Sequence, residues 1–261
     1  MIWFFDSWFG WLQTMKYFKD MYPEYDYIFL ADTKNCPYGD KSEKEIRDLT
    51  FRWLNRLFDH GATIVILACN TAAAYAIRSR QTLYPEKKVL SITIPGIEKI
   101  LHEKHTTGNI GILATQATIM SNIYTDLFFR FGGKDNPDFQ FVMAPKLVNI
   151  VENGFQDKKE IQETINAYLS KFTDIKYLIL GCTHFPVLMD QFKKQFSWEI
   201  IDPSMEAAKK FWPYLKKHEE LHKKLSKNSS VKCYTTGPEE KFMTTWSRIF
   251  WSAIHATHIE L

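Results

Sequence analysis

Short apolar runs alternate with longer amphipathic ones along most of the chain, and this alternation constrains its fold more than any other feature. Residues 1–5, 27–31, 63–68 and 89–94 read as strands, the third of them rich in β-branched residues and so expected to be buried. Residues 42–60 read as a helix. Ser42 is placed to cap it, Glu45 completes a capping box, and Gly61 follows its end. Residues 71–84 return to helix. A second series then follows, with strands at 109–114, 139–144 and 177–180 and helices at 119–131 and 158–172. Strands that alternate with helices pair in parallel and are covered on both faces. The expected fold class is therefore α/β: two similar lobes, each a mostly parallel sheet flanked by helices, with the active site in the cleft between them. Pro95-Gly96 marks the first crossover and residues 202–204 the return, which predicts a first lobe of residues 1–95 plus 206–261 and a second of residues 96–205.

Composition narrows the function classes. The 261 residues are 45% hydrophobic, enough for a large core. A net charge of +3 with 24% charged residues makes no case for a nucleic-acid partner. The lysine-rich stretch 216–227 is broken by glutamates and histidines and reads as a solvated helix face. No run reaches the roughly 18–20 apolar residues that span a membrane, so no membrane association is expected. The N-terminus has neither a basic leader nor a small-residue cleavage site, and no signal peptide is expected. Cys36, Cys69, Cys182 and Cys233 are widely spaced with no CxxC pair, which argues against a disulfide framework and against a zinc site. Reduced thiols in the cytoplasm are the natural reading.

Ligands of open α/β sheets bind at the carboxyl ends of strands, and polar clusters fall at those places. Asp6-Ser7 follows the first strand, and Asp32-Thr33 follows the second and leads into Pro37-Tyr38-Gly39. Cys69-Asn70-Thr71 follows the third. Thr115 and Thr118 follow the strand ending at Ala114, and Gly181-Cys182-Thr183-His184 follows the strand ending at Leu180. A lone cysteine at a strand end is commonly a small buried hydrophobe. Two of them, each beside hydroxyl or amide groups at a helix start, point to chemistry. A helix N-terminus stabilises anions, so it is suited to lower a thiol pKa and to hold a carboxylate. Cys36, which precedes a proline in a loop, and Cys233, in a short apolar strand, have no such neighbours in sequence and read as ordinary thiols.

One thiolate with a histidine would suggest a nucleophile. A symmetric pair suggests proton removal on one side of a carbon and delivery on the other, which inverts that carbon. The Cα of an amino acid is a weak acid, so the site must stabilise a carbanion-like transition state. Ser7, Asn70, Thr71 and Thr183 are candidate donors to substrate carboxylates. Asp6 and His184 are candidate acid/base partners that orient or tune the thiols, and Glu152 is a third, with a solvated carboxylate near a helix start as its alternative.

At these residues a specific resemblance emerges. Phe5-Asp6-Ser7, Pro37-Tyr38-Gly39, Ala68-Cys69-Asn70-Thr71-Ala72 and the run from Leu180 through Cys182, Thr183 and His184 to Pro186 resemble the signature blocks of the glutamate racemase family, in order, over essentially the whole chain. Ala114-Thr115 with Thr118 and Ser121, and Thr235-Thr236-Gly237, are similar to that family too. The resemblance implies interconversion of L- and D-glutamate, with D-glutamate supplied for peptidoglycan, by a two-base mechanism without pyridoxal phosphate or any other cofactor. It implies Cys69 and Cys182 as the catalytic thiols, the first acting on the D-isomer and the second on the L-isomer. It also implies substrate contacts from Asp6, Ser7, Tyr38, Gly39, Asn70, Thr71, Thr115, Thr118, Thr183 and His184. Homodimers are common in that family. His184 argues against the aspartate branch, where the second motif more often has Glu after Cys-Thr. Another racemase of the superfamily, of aspartate or hydantoin type, and a catalytically impaired relative are the alternatives.

The first block departs from the family pattern. Trp3, Trp8 and Trp11 stand where the family has glycine. Glycine in such a turn permits positive φ and close backbone approach, and tryptophan provides neither. The chain carries 8 Trp and 11 Gly among its 261 residues, whereas glycine averages about 7%. The pattern fits a gene in which UGA encodes glycine, read out as tryptophan, with a tryptophan-rich variant and a repacked site as the alternative. A chain that carries these tryptophans literally is expected to have impaired activity, because Trp8 adjoins Ser7.

Overall fold

Ile2–Asp6 (β1) is buried along its whole length because it lies inside a parallel sheet. Tyr27–Ala31 (β2) pairs with one edge of β1 and Ile64–Leu67 (β3) with the other. Lys88–Ser91 (β4) extends the sheet beyond β3. Val231–Thr235 (β9) and Ala256–His258 (β10) extend it beyond β2. Asn109–Ala114 (β5), Phe139–Met143 (β6), Ile175–Gly181 (β7) and Glu199–Ile201 (β8) form a second parallel sheet in the order β6-β5-β7-β8. That order repeats the β2-β1-β3-β4 portion of the first sheet. The two-sheet α/β architecture expected from the alternation is thus present. The computed structural model describes residues 1–8, 10–79, 83–102, 108–134, 136–154, 157–194, 198–250 and 255–260, the side chains of 11, 241, 245 and 248–250 excepted.

Helices cover both sheets. Trp11–Met21 (α1) follows β1, Glu43–Asp59 (α2) precedes β3, and Asn70–Ala76 (α3) follows β3. Ser42 caps α2 with both halves of the capping box formed, and Gly61 leaves the helix end at φ +80°, where a side chain would be strained. Thr93–Leu101 (α4) contains Pro95-Gly96 and lies between β4 of the first sheet and β5 of the second, so the pair sits inside a helix within the connection between the sheets. The reason is positional: a proline in the first turn of a helix removes a donor that has no partner there. Gly96 then allows close packing, since a Cβ at that position would lie 3.3 Å from Pro203.

The helix expected at 119–131 is divided at Asn122, which adopts a left-handed conformation, φ 54°. Gln116–Met120 (α5) and Ile123–Arg130 (α6) result. Pro145–Glu152 (α7) and Lys158–Leu169 (α8) flank the second sheet, the latter capped by Asp157. The helix expected over 71–84 ends at Ala76, and residues 80–82 lie outside the described residues. Pro203–Lys217 (α10), which begins after Met189–Lys193 (α9) and β8, packs on both α1 and α4. It therefore ties the two sheets together. Phe4, Phe29 and Ile66 of the first sheet share one core cluster with Leu113, Leu178 and Leu180 of the second. Among the described residues no helix is long and apolar enough to cross a membrane.

Candidate active site

In each sheet the first strand of the four-strand unit is flanked on both sides, β1 by β2 and β3, β5 by β6 and β7. The chain leaves such a strand and its neighbour toward opposite faces, which opens a crevice at their carboxyl ends. The two crevices face one another across a single cavity of about 400 Å³, within the range of about 300–1,000 Å³ usual for small-molecule sites. Asp6 and Ser7 enter it from the end of β1, Cys69, Asn70 and Thr71 from β3, Thr115 from β5, and Cys182, Thr183 and His184 from β7. Tyr38 and Gly39 reach it from the loop after β2. Of the residues expected in the site, Thr118 alone is not in the cavity wall. Its hydroxyl lies 3.0 Å from those of both Thr71 and Thr115, so it supports them from behind.

The two thiols have different surroundings. The Cys69 sulfur caps α3 by accepting from the Ala72 amide at 3.4 Å, and Ser7 Oγ lies 3.5 Å from it. Asp6 is one residue removed. Its Oδ1 accepts from the Ser7 amide at 2.7 Å and the Trp8 amide at 3.4 Å, and its Oδ2 accepts from Thr183 Oγ1 at 3.1 Å across the cleft. Burial pushes the Cys69 thiol up to about 12, and the nearby Asp6 carboxylate adds to this, outweighing the hydrogen bonds from Ser7 and Ala72. The lowered thiol pKa expected from the helix start is thus not found at Cys69, because desolvation of the buried sulfur is the larger effect. Burial likewise raises Asp6, against the pull of His184.

At the second thiol, His184 Nδ1 lies 3.5 Å from the Cys182 sulfur and His184 Nε2 lies 3.3 Å from Glu152 Oε1. Burial acts to lower the His184 pKa, but the Cys182 and Glu152 charges and hydrogen bonds outweigh it and raise it to about 10. Glu152 is the last residue of α7, not near a helix start, and its placement beside the buried imidazole replaces the solvated alternative.

The structure adds to the roles of several residues around the cavity. Cys36, read as an ordinary thiol, lines the cavity, because the loop that brings in Tyr38 also carries it there. Asp32 is fully buried and accepts from Tyr38 Oη at 2.6 Å and Thr236 Oγ1 at 2.8 Å, which joins the cavity loop to the end of β9. Gly10 lets the start of α1 approach the opposite lobe, since a Cβ there would overlap the Thr183 hydroxyl. Trp8 is buried and lines the cavity. Trp3 is buried in β1 and stacks on Tyr234, and the indole nitrogens of Trp3 and of the fully buried Trp53 have no hydrogen-bond partner among the described residues. Buried tryptophans ordinarily find one. Among the described residues, no three His, Cys, Asp or Glu side chains converge as a metal-binding group.

The profile of the Asp/Glu/Hydantoin racemase family matches residues 16–211. The chain belongs to that family. Within the racemase family it is 34% identical to a glutamate racemase of Persephonella marina, over 98% of this chain and 96% of that protein. Its fold is similar to the crystal structure of a glutamate racemase from Bacillus anthracis, with a TM-score of 0.89 at 26% identity over 100% of this chain and 97% of the other. It is also similar to a glutamate racemase from Francisella tularensis in complex with D-glutamate, with a TM-score of 0.86 at 28% identity over 100% and 96% of the two chains.

Proposed function

We propose that the chain interconverts L- and D-glutamate by moving a proton at Cα between two thiols. The single observation that carries this reading is the presence of Cys69 and Cys182, from two facing strand ends, in one cavity of about 400 Å³. In the L-to-D direction the Cys182 thiolate removes the α-proton and Cys69 delivers its own proton to the opposite face. The reverse reaction exchanges the roles. A Cys69 pKa near 12 keeps that sulfur protonated and ready to donate. A His184 pKa near 10 keeps the imidazolium beside the Cys182 sulfur, where it stabilises negative charge, and Glu152 holds the imidazolium in turn. Asp6 and His184 thus tune the two thiols. Ser7, Tyr38, Gly39, Asn70, Thr71, Thr115 and Thr183 supply the polar wall for the substrate carboxylates, with Thr118 behind it. Preorganised donors of this kind stabilise charge developing at Cα and the carboxylate.

The resemblance carries further parts of the reading: no cofactor, D-glutamate destined for peptidoglycan, and the homodimer common in that family. The widely spaced thiols support a cytoplasmic location, and the marks at Pro95-Gly96 and residues 202–204 support lobes of residues 1–95 plus 206–261 and 96–205. The test is a chiral assay of glutamate and aspartate in deuterated water. Interconversion of the glutamate isomers with deuterium appearing at Cα is expected. Turnover of aspartate in preference to glutamate, or racemisation without exchange at Cα, would sink the reading. Trp8 in the cavity wall favours a second reading, in which the same reaction runs slowly in a chain that carries tryptophan there.

A further inference from the structure

Asn70 is almost wholly buried, lines the cavity, and has an amide with two different ends. Its Oδ1 accepts a hydrogen bond from the hydroxyl of Tyr124, whereas its Nδ2 has no partner among the described residues. Tyr124 comes from α6, in the part of the chain that builds the second sheet, and Asn70 opens α3 after the first. Tyr124 is itself buried. Its ring rests against the end of β7, where a Cβ at Gly181 would lie 3.3 Å from its Cε2. The tyrosine therefore sits between the segment that carries Cys69 and the segment that carries Cys182.

A side-chain amide turned over exchanges a donor for an acceptor at the same place. A carboxylate accepts only, so an Asn70 that showed Oδ1 to the cavity would repel a substrate carboxylate. A phenol hydroxyl buried this deeply stays protonated, since burial raises its pKa well above 10, and it remains a donor. Donation to Oδ1 leaves the buried Nδ2 as the amide end that still lacks an acceptor among the described residues. A buried N–H without a partner is costly, and the cost is relieved when an acceptor arrives.

We propose that Tyr124 is a positioning residue: by holding Asn70 Oδ1 across the cleft it locks the amide with Nδ2 presented to a carboxylate of the substrate. The proposal rests on the glutamate reading for the identity of that carboxylate. It also predicts a coupling between the lobes, because the tyrosine that orients a first-lobe donor is anchored beside the second thiol.

The test is Tyr124→Phe, which keeps the ring against Gly181 and removes only the hydroxyl. The expected result is a rise in KM for both glutamate isomers of about tenfold, the size of one charge-assisted hydrogen bond lost or misdirected, with kcat little changed and Tm lowered by no more than about 2–4 °C, the worth of one buried hydrogen bond. In the Asn70→Ala background, with D-glutamate binding followed by calorimetry, Tyr124→Phe is expected to add nothing. The Asn70 side-chain amide gives an independent readout in a nitrogen-15 spectrum. Its two protons should exchange slowly with solvent in the wild type and faster in Tyr124→Phe. An unchanged KM, a lower Tm without a change in KM, an equal loss of binding in the Asn70→Ala background, or unchanged amide signals would each overturn the proposal. A wild-type enzyme inert toward glutamate would instead overturn the substrate reading, and the amide signals would then decide the role of Tyr124 alone.

Discussion

Cys69 and Cys182 stand at equivalent ends of β3 and β7, and the charges that face them differ in sign. Cys69 has the Asp6 carboxylate nearby, hydroxyl and amide donors on its sulfur, and a pKa near 12. Cys182 has an imidazole 3.5 Å away that stays protonated to about pH 10, backed by Glu152. Two copies of one topology have thus set one thiol beside a carboxylate and the other beside an imidazole. Strand order places the thiols, while the residues around each strand end decide which charge faces it. The largest effect expected from this comparison is the loss of either sulfur. Cys69→Ala and Cys182→Ala should each lower racemisation by about 10²–10⁴-fold, the usual contribution of a positioned acid or base. Stopped assays started separately from each isomer would show it, and a variant with near-normal turnover would remove that thiol from the mechanism.

The next effect concerns Trp8. It follows β1, lines the cavity in the core cluster that contains Cys182, and its amide bonds to Asp6. Trp8→Gly is expected to raise kcat/KM by about tenfold or more, equivalent to about 1.4 kcal/mol of barrier. A tryptophan-bearing chain already as active as its glycine variant would show that this site has repacked successfully. The intact mass of protein from its native cell bears on the same point, since a mass equal to that of the tryptophan-bearing chain would end the recoding idea.

The charge difference is sharpened by two isosteric changes. Glu152→Gln removes one of the groups that raise His184, while burial continues to lower it. The alkaline fall of kcat/KM for L-glutamate, expected near pH 10 in the wild type, should move to lower pH. The folded-state pKa of His184 is raised from 6.5 to about 10, so its contribution to folding is complete below pH 6.5 and is lost as the pH rises through about 10. Asp6→Asn acts on the other thiol. It removes a charge that raises Cys69, so the rising limb for D-glutamate should also move to lower pH. pH profiles in both directions would check the pair. A shift of both limbs by either variant would show that the two thiols titrate as one unit.

Much of this was legible before any coordinates. The β/α alternation, the Ser42 capping box and the polar clusters at strand ends are local patterns, and each has a counterpart in the fold. What could not be read is set by tertiary contact. Pro95-Gly96 looks like a break, but packing against Pro203 and a first-turn position make it helical. Asn122 is an ordinary residue inside an apolar period, and only its left-handed backbone divides the helix. Cys36 enters the cavity with a loop, and Tyr124 meets Asn70 from 54 residues away. Tyr124 has no sequence neighbour that announces it, and Cys36 adjoins the Pro37-Tyr38-Gly39 block without itself carrying a signature.

The smallest effect separates residues in the cavity wall from those behind it. Thr71, Thr115 and Thr118 form a triangle of hydroxyls with 3.0 Å sides that joins α3 to the start of α5. Thr71 and Thr115 line the cavity, and Thr118 is buried outside it. Thr118→Val keeps the shape and deletes its hydroxyl, leaving the other two bonded to each other. The expected cost is about 1 kcal/mol of stability, the net worth of a buried hydrogen bond, or about 2–4 °C in Tm for a chain of this size. KM should hardly move, since the wall keeps both of its hydroxyls. Thermal unfolding and steady-state kinetics on the same sample would check both halves. A KM that rises while Tm holds would place Thr118 in contact with the substrate, and so on the cavity side of the line that divides the two groups.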